Sequence, residues 1–290
     1  MIELDAVILG DNQFFGINHM SQEKAQQLAE RFNDISTILE AYRSAYDLGI
    51  HAFMLNSNDK AEEICEYFRA HRSDFPKLVL YPSIPYPHKY ANLVAEQGLL
   101  GAVQSVLSGQ SAMGLLGMAG KGLSLITGDI SSILPMLVDV EMKIYRKLDY
   151  KAIYLQNIVT DLLLGLEFKD VFVQYCRYVE KKFNAAPGFL TMNVPKLASF
   201  LESCGIENAV ICGAVNKRGY LMSPDISSYE SYFSGEQKYP MTAMSIFASG
   251  AISPQEAVDY VRGQGIKSIV FGASTRRHMQ ETMELVRRNA

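Results

Sequence analysis

The residues of this chain that could bind or react gather just after short apolar runs. They are Asp11 and Asn12, Asn56 to Asn58, Ser83 with Tyr86 and His88, Gln156 and Asn157, Asn193, Asn216 and Lys217, Ser249 and Gly250, and Ala273 and Ser274. The set is rich in amides, which hydrogen-bond a polyol, a carboxylate or a cofactor amide but do not move protons at neutral pH. Proton transfer therefore falls to Asp11, Lys217 and His88, with Tyr81 and Tyr86 behind them. A carboxylate at Asp11 can act as a base or hold a hydroxyl; Asp11-Asn12 can equally form an Asx turn. Lys217 stands where a lysine could form a Schiff base with a carbonyl substrate, or it belongs to a solvated loop with Arg218-Gly219. His88, after Tyr86-Pro87, is either an acid–base group or ordinary surface. Asn12, Asn56, Ser83, Asn157, Asn193 and Asn216 are the expected substrate-binding residues.

The sharpest local signal is a pair of turns, Phe247-Ala-Ser-Gly-Ala251 and Phe271-Gly-Ala-Ser-Thr275. Glycine there lets backbone N–H groups approach an anion, and a following helix would aim its positive N-terminus at the same place. Ser249, Gly250, Gly272, Ala273, Ser274 and Arg276 are the expected phosphate- or cofactor-binding residues; alternatively, the glycines only make tight turns. The scattered His and carboxylate positions form no metal set, so metal-independent chemistry is expected.

These positions need a scaffold that brings many strand ends to one face. Short β-branched or apolar runs alternate with longer amphipathic segments, the pattern of parallel strands joined by helices. Eight strands are expected, over Ala6–Gly10, His51–Asn56, Leu78–Ser83, Ala152–Asn157, Gly188–Met192, Ala209–Gly213, Ala243–Ala248 and Ser268–Gly272. Each is apolar on both faces, as a strand between a barrel core and outer helices should be. Ser253-Pro-Gln-Glu256 reads as a capping box that opens a helix, and Gly263 and Gly265 close it. Further helices are expected over Ile35–Leu48 and Lys196–Ser203. The fold class is α/β, a (β/α)8 TIM barrel in one domain over residues 1–290, with binding residues at the carboxyl ends of the strands. A helical insertion over about residues 90–145, between strands three and four, includes Gly98–Gly128, which could serve as a lid or as the contact of a homo-oligomer. The polar, Tyr-rich stretch Lys217–Pro240 is a second excess that could cover the barrel mouth.

Of the 290 residues, 48% are hydrophobic and 20% charged, which excludes disorder across the whole chain. A net charge of −4 gives no broad footprint for nucleic acid or an anionic membrane. No apolar run is long and clean enough to span a bilayer. Cys65, Cys176, Cys204 and Cys212 lack a C-x-x-C spacing, which argues for a reducing compartment. Met1 to Asp5 carries two acids and no basic region, unlike a secretory signal, so a cytoplasmic location is expected.

The stretch Ser253-Pro-Gln-Glu-Ala-Val-Asp-Tyr-Val-Arg-Gly-Gln-Gly265, followed by Ser268-Ile-Val-Phe-Gly-Ala-Ser274, resembles the end of the aldo-keto reductase superfamily. There a similar Gly-Ala-Ser turn helps hold the NADP phosphate. Leu9-Gly-Asp-Asn-Gln-Phe-Phe-Gly16 resembles that family's opening strand, and Ala45-Tyr-Asp-Leu-Gly-Ile50 its first helix leading into strand two. These patches cover about a quarter of the chain and imply the barrel and NADP as a cofactor. The family's catalytic Asp, Tyr, Lys and His do not carry over. Strand two gives Met54-Leu-Asn56 with no Tyr soon after, strand three ends in Pro82-Ser83, and strand four ends in Gln156-Asn157.

The first functional expectation is therefore an isomerase- or lyase-type enzyme acting on a small, polar, phosphorylated metabolite or sugar derivative, an anionic small-molecule ligand. The alternative is an NADPH-dependent oxidoreductase with a non-standard proton donor such as Tyr86 or Tyr220. A barrel that binds a ligand or partner without catalysis is the third reading.

Overall fold

The computed structural model describes residues 2–16, 22–86 and 130–288. Eight parallel strands close into a barrel in sequence order: β1 Val7–Gly10, β2 Ala52–Asn56, β3 Val79–Ile84, β4 Ala152–Leu155, β5 Ala186–Thr191, β6 Val210–Ala214, β7 Met241–Met244 and β8 Ser268–Phe271. Closure comes from β1 pairing with β8, Val7 opposite Ile269 and Leu9 opposite Phe271. The described helices are α1 Gln22–Arg31, α2 Ile35–Asp47, α3 Ala61–Ala70, α4 Ile130–Met142, α5 Asn157–Gly165, α6 Lys169–Phe183, α7 Val194–Ser203, α8 Ile226–Ser234, α9 Pro254–Gly263 and α10 Arg276–Arg288. This is the expected (β/α)8 barrel. Helix α4 lies at the end of the expected insertion, whereas Gly98–Gly128 falls outside the described residues.

Local chemistry explains the helix starts. Asp34 caps α2 by accepting from the Ser36 N–H, Asn193 caps α7 by accepting from Lys196, and Ser253 caps α9 by accepting from Glu256. Each satisfies a donor that the first helical turn cannot pair internally. The capping box is only half made, because the Glu256 carboxylate turns instead to Lys217 Nζ at 2.8 Å. The excess after β6 contains α8, which docks through Tyr229: its hydroxyl donates to Met192 O at 2.8 Å and accepts from the Val194 N–H.

Strand bounds depart from expectation most at β7, which ends at Met244 rather than Ala248. Ser245, Ala248 and Ser249 take left-handed φ values of 55°, 45° and 57°, which ends the ladder early. The barrel interior is filled by Ile8, Met54, Tyr81, Tyr154, Leu190 and Val270. Gly188 makes room for one of these: a Cβ there would sit 2.6 Å from Tyr154 Cδ1. Below this layer Asp5 ties the floor together. Its Oδ2 accepts from Tyr81 Oη at 2.5 Å and Lys151 Nζ at 2.8 Å, and its carbonyl accepts from Ser268 Oγ at 2.7 Å. Among the described residues no helix is long and apolar enough to cross a membrane.

Candidate functional site

Strand register brings four of the polar residues to one level at the carboxyl rim. Gly10 lies opposite Met54, so Asp11 leaves β1 beside the end of β2; Asn56, the last residue of β2, pairs with Ser83 on β3. Ser83 pairs with Tyr154, and the Gln156 N–H donates to Ile84 O at 2.8 Å, which sets Gln156 just past β4. Asp11, Asn56, Ser83 and Gln156 are all buried.

Their side chains form one connected network. Asp11 Oδ2 accepts from the backbone N–H of Asn56 at 2.8 Å and from Asn58 Nδ2 at 3.2 Å, and Oδ1 accepts from Asn56 Nδ2. Asn56 Nδ2 also reaches Asn12 Oδ1 at 3.2 Å. Gln156 Nε2 donates to Asn56 Oδ1 and to Ser83 Oγ, the latter at 2.7 Å. The Asx-turn alternative for Asp11 is not what its side chain does: its carbonyl accepts from Phe14 in the following 3-10 turn, while the carboxylate makes no cap bond and crosses to β2.

The network sets the charge of Asp11. Burial pushes its pKa up from 3.8 to about 7, against the hydrogen bonds from the backbone and side chain of Asn56, which favour the charged form. Among the described residues no lysine, arginine or histidine is a cause of that balance. The result is a carboxyl group populated in both forms near neutrality, the condition for an efficient acid–base group. Tyrosines feel its charge, Tyr145 among them. Tyr42 on α2 and Tyr86 after β3 have raised pKa values, through burial first and then the Asp11 charge.

The other expected site residues are engaged elsewhere. Lys217 is exposed and in a salt bridge with Glu256, so the structure supports its surface role and not the Schiff base. Asn193 serves as a helix cap. Asn216 folds its own loop, Oδ1 accepting from the Arg218 and Tyr220 N–H groups and Nδ2 donating to Tyr220 O. Asn157 opens α5, half-buried, next to the network without a bond into it. His88 lies outside the described residues.

At the two turns the glycines have separate reasons. Gly250 has φ +94°, and a Cβ added there would meet nothing within 4 Å, so that side is open. Gly272 instead admits Gln13: a Cβ would lie 3.0 Å from Gln13 Cγ, and Gln13 Nε2 donates to Gly272 O at 2.9 Å. Ala273 is buried, Ser274 half-buried, and Thr275 Oγ1 accepts from the His278 N–H at the start of α10. Arg276 Nη1 donates to Ser44 O and Ser44 Oγ at 3.1 Å each, which joins α10 to α2.

Asn58 and Gln156, expected at the strand ends without an assigned role, complete the network. One residue outside the expected set also matters. Asp161 on α5 accepts from Thr191 Oγ1 and from the Met192 N–H at 3.0 Å at the end of β5, and burial raises its pKa. Its signal in the sequence is a lone acid within the apolar run Asn157–Gly165. Among the described residues no group of three His, Cys, Asp or Glu could hold a metal ion.

No protein-family model and no curated protein matches this sequence. Solved structures do match. One is a Pseudomonas aeruginosa protein provisionally assigned as an aldo-keto reductase, at TM-score 0.63 and 14% identity, over 99% of this chain and 92% of that one. Another, provisionally assigned as a 2,5-diketo-D-gluconic acid reductase B, matches at TM-score 0.54 and 11% identity, over 97% and 82%. At such identities the likeness is one of architecture, and function has to be argued from the site. What these structures share with this chain is the (β/α)8 barrel fold.

Proposed function

We propose that this chain is an NADPH-dependent oxidoreductase acting on a small polar carbonyl or hydroxyl compound, with Asp11 as the group that gives and takes the proton. The observation that carries this reading is the Asp11 carboxyl, buried at the strand ends with a pKa of about 7. In its protonated form it can donate to a carbonyl oxygen as that oxygen becomes a hydroxyl; the ionised form takes the proton back in the reverse direction. The tyrosine donors are weaker candidates. Burial raises the pKa of both Tyr86 and Tyr220, and the Tyr220 hydroxyl is enclosed without a hydrogen-bond partner.

The turn Gly272-Ala-Ser274, which leads into α10, would hold a cofactor phosphate through its backbone N–H groups; Gly250 would leave room beside it, since a Cβ there would meet nothing within 4 Å, while its own N–H is donated to Phe247 O. Bound there, the nicotinamide cofactor supplies the hydride. Asn12 and Ser83 would orient the substrate beside Asp11. The isomerase or lyase reading has less support: Lys217, its candidate Schiff-base lysine, is paired with Glu256, and the matching barrels carry reductase assignments.

The test is a thermal shift and calorimetric titration with NADPH, followed by cofactor oxidation with a panel of small hydroxyaldehydes and diketones. A rise in melting temperature with NADPH, and turnover lost in Asp11→Asn, are expected. No binding of NADPH at millimolar concentration overturns the proposal.

A further inference from the structure

The reading of Asp11 as the proton-transfer group raises the question of what holds the Asn56 amide in the orientation that serves it. An asparagine side chain fits a pocket equally well with its two ends exchanged, and only its partners decide between them. Here one end faces Asp11 and the other faces Gln156. We propose that Gln156 is a positioning residue that fixes which end of the Asn56 amide faces Asp11, by donating from Nε2 to Asn56 Oδ1 while Ser83 Oγ accepts from the same nitrogen.

In the structure the bonds run in one consistent direction. Asn58 cannot set it, because its own amide is locked separately: Oδ1 accepts from the Lys60 N–H at 3.0 Å, which leaves Nδ2 for Asp11 and for Asn56 O. Asn12 Oδ1 supports the same orientation of Asn56, but at 3.2 Å from an exposed residue. Gln156 is buried and sends Nε2 to both Asn56 and Ser83. With the amide so held, Asp11 receives a side-chain donor that stabilises its charged form. Released, Asn56 can turn its carbonyl oxygen toward Asp11, which favours the protonated carboxyl. Gln156 thus acts on the proton-transfer group across one intervening side chain.

The charged and titratable groups around Asp11 leave its titration readable. Among the described residues, Tyr42 from α2, Tyr86 after β3 and Tyr145 after α4 feel its charge, and all three have raised pKa values, through burial first, so they stay neutral through the range where Asp11 titrates. Among the described residues no lysine, arginine or histidine is a cause of its shift.

The experiment follows the Asp11 carboxyl carbon by NMR in the full-length protein labelled at aspartate, assigned with Asp11→Asn. It requires no substrate or cofactor, so its outcome is separable from that of the proposed activity. Gln156→Met should raise the Asp11 midpoint by about one pH unit. Asn56→Ala should raise it by at least as much, and the double variant should match Asn56→Ala alone, since Gln156 would act only through Asn56. An unchanged midpoint in Gln156→Met, or two shifts that add in full, overturns the proposal. Should Asn56→Ala fail to fold, exchange of the Asn56 side-chain amide protons with water decides in Gln156→Met alone: acceleration of about tenfold is expected once the amide is no longer pinned, and an unchanged rate refutes the pinning.

Discussion

Asn56 donates to both carboxylate oxygens of Asp11, its backbone N–H to Oδ2 at 2.8 Å and its side-chain amide to Oδ1. A single residue at the end of β2 therefore opposes much of the burial penalty of the carboxyl at the end of β1. The balance leaves that carboxyl poised near neutrality instead of fully neutral.

Stability should fall with pH in a window set by Asp11. Its folded-state pKa, about 7, lies above its ordinary value of 3.8, so between these values the native state binds more protons than the unfolded state. The contribution is fully present below about pH 4, declines as pH rises, and is gone above about pH 7, a change on the order of 4 kcal/mol. Urea unfolding of wild type and Asp11→Asn at pH 5 and pH 8 isolates it, because other groups cancel in the difference. A wild-type-minus-variant difference that does not change between the two pH values would show that Asp11 titrates normally.

Turnover should depend on Asp11 through its proton. Asp11→Asn keeps the shape of the side chain and removes its acid–base function, so the rate of NADPH-dependent reduction is expected to drop by about 10²- to 10⁴-fold. The wild-type rate of reduction should fall as pH rises through about 7, because reduction needs the protonated form. A pH-independent rate, or full activity in the variant, rules out this role.

Gly188→Ala should destabilise the barrel without touching the rim. The added methyl would meet the Tyr154 ring at 2.6 Å inside a filled core, and a cost of about 1–3 kcal/mol is expected from the forced shift. Chemical denaturation measures it. Tyr154→Leu in the same chain should relieve part of the loss, and no relief would locate the strain elsewhere.

Lys217→Ala should leave the melting temperature unchanged. The salt bridge to Glu256 joins two exposed side chains, and such pairs contribute little because solvent screens them. A clear drop in melting temperature would mean that this pair helps hold the β6 loop.

Much of the fold was legible because it rests on short-range signals. Apolar runs such as Ile8-Leu9 and Ile269-Val270 are buried on both sides, and Ser253 and Asn193 lie where caps must lie. The end of β7 was not legible, since left-handed φ at Ser245, Ala248 and Ser249 has no glycine to announce it. At the site, order along the chain placed Asp11, Asn56 and Ser83 correctly at strand ends. It could not say which partner a long side chain chooses: Arg276 reaches back to Ser44, and Glu256 prefers Lys217 to its own helix start. Gln156 gained its place in the network from register across β2, β3 and β4, which only the folded barrel supplies.

The floor of the barrel bears on how the chain reaches this state. Asp5 joins Tyr81, Lys151 and Ser268, partners 76, 146 and 263 positions away. A ribosome releases those partners one after another, so the aspartate waits through the synthesis of nearly the whole barrel before its last bond can form. Contacts of such long separation carry a large loop-closure cost and slow folding. The completed cluster is then a seal on a finished product, made only once the eighth strand has arrived.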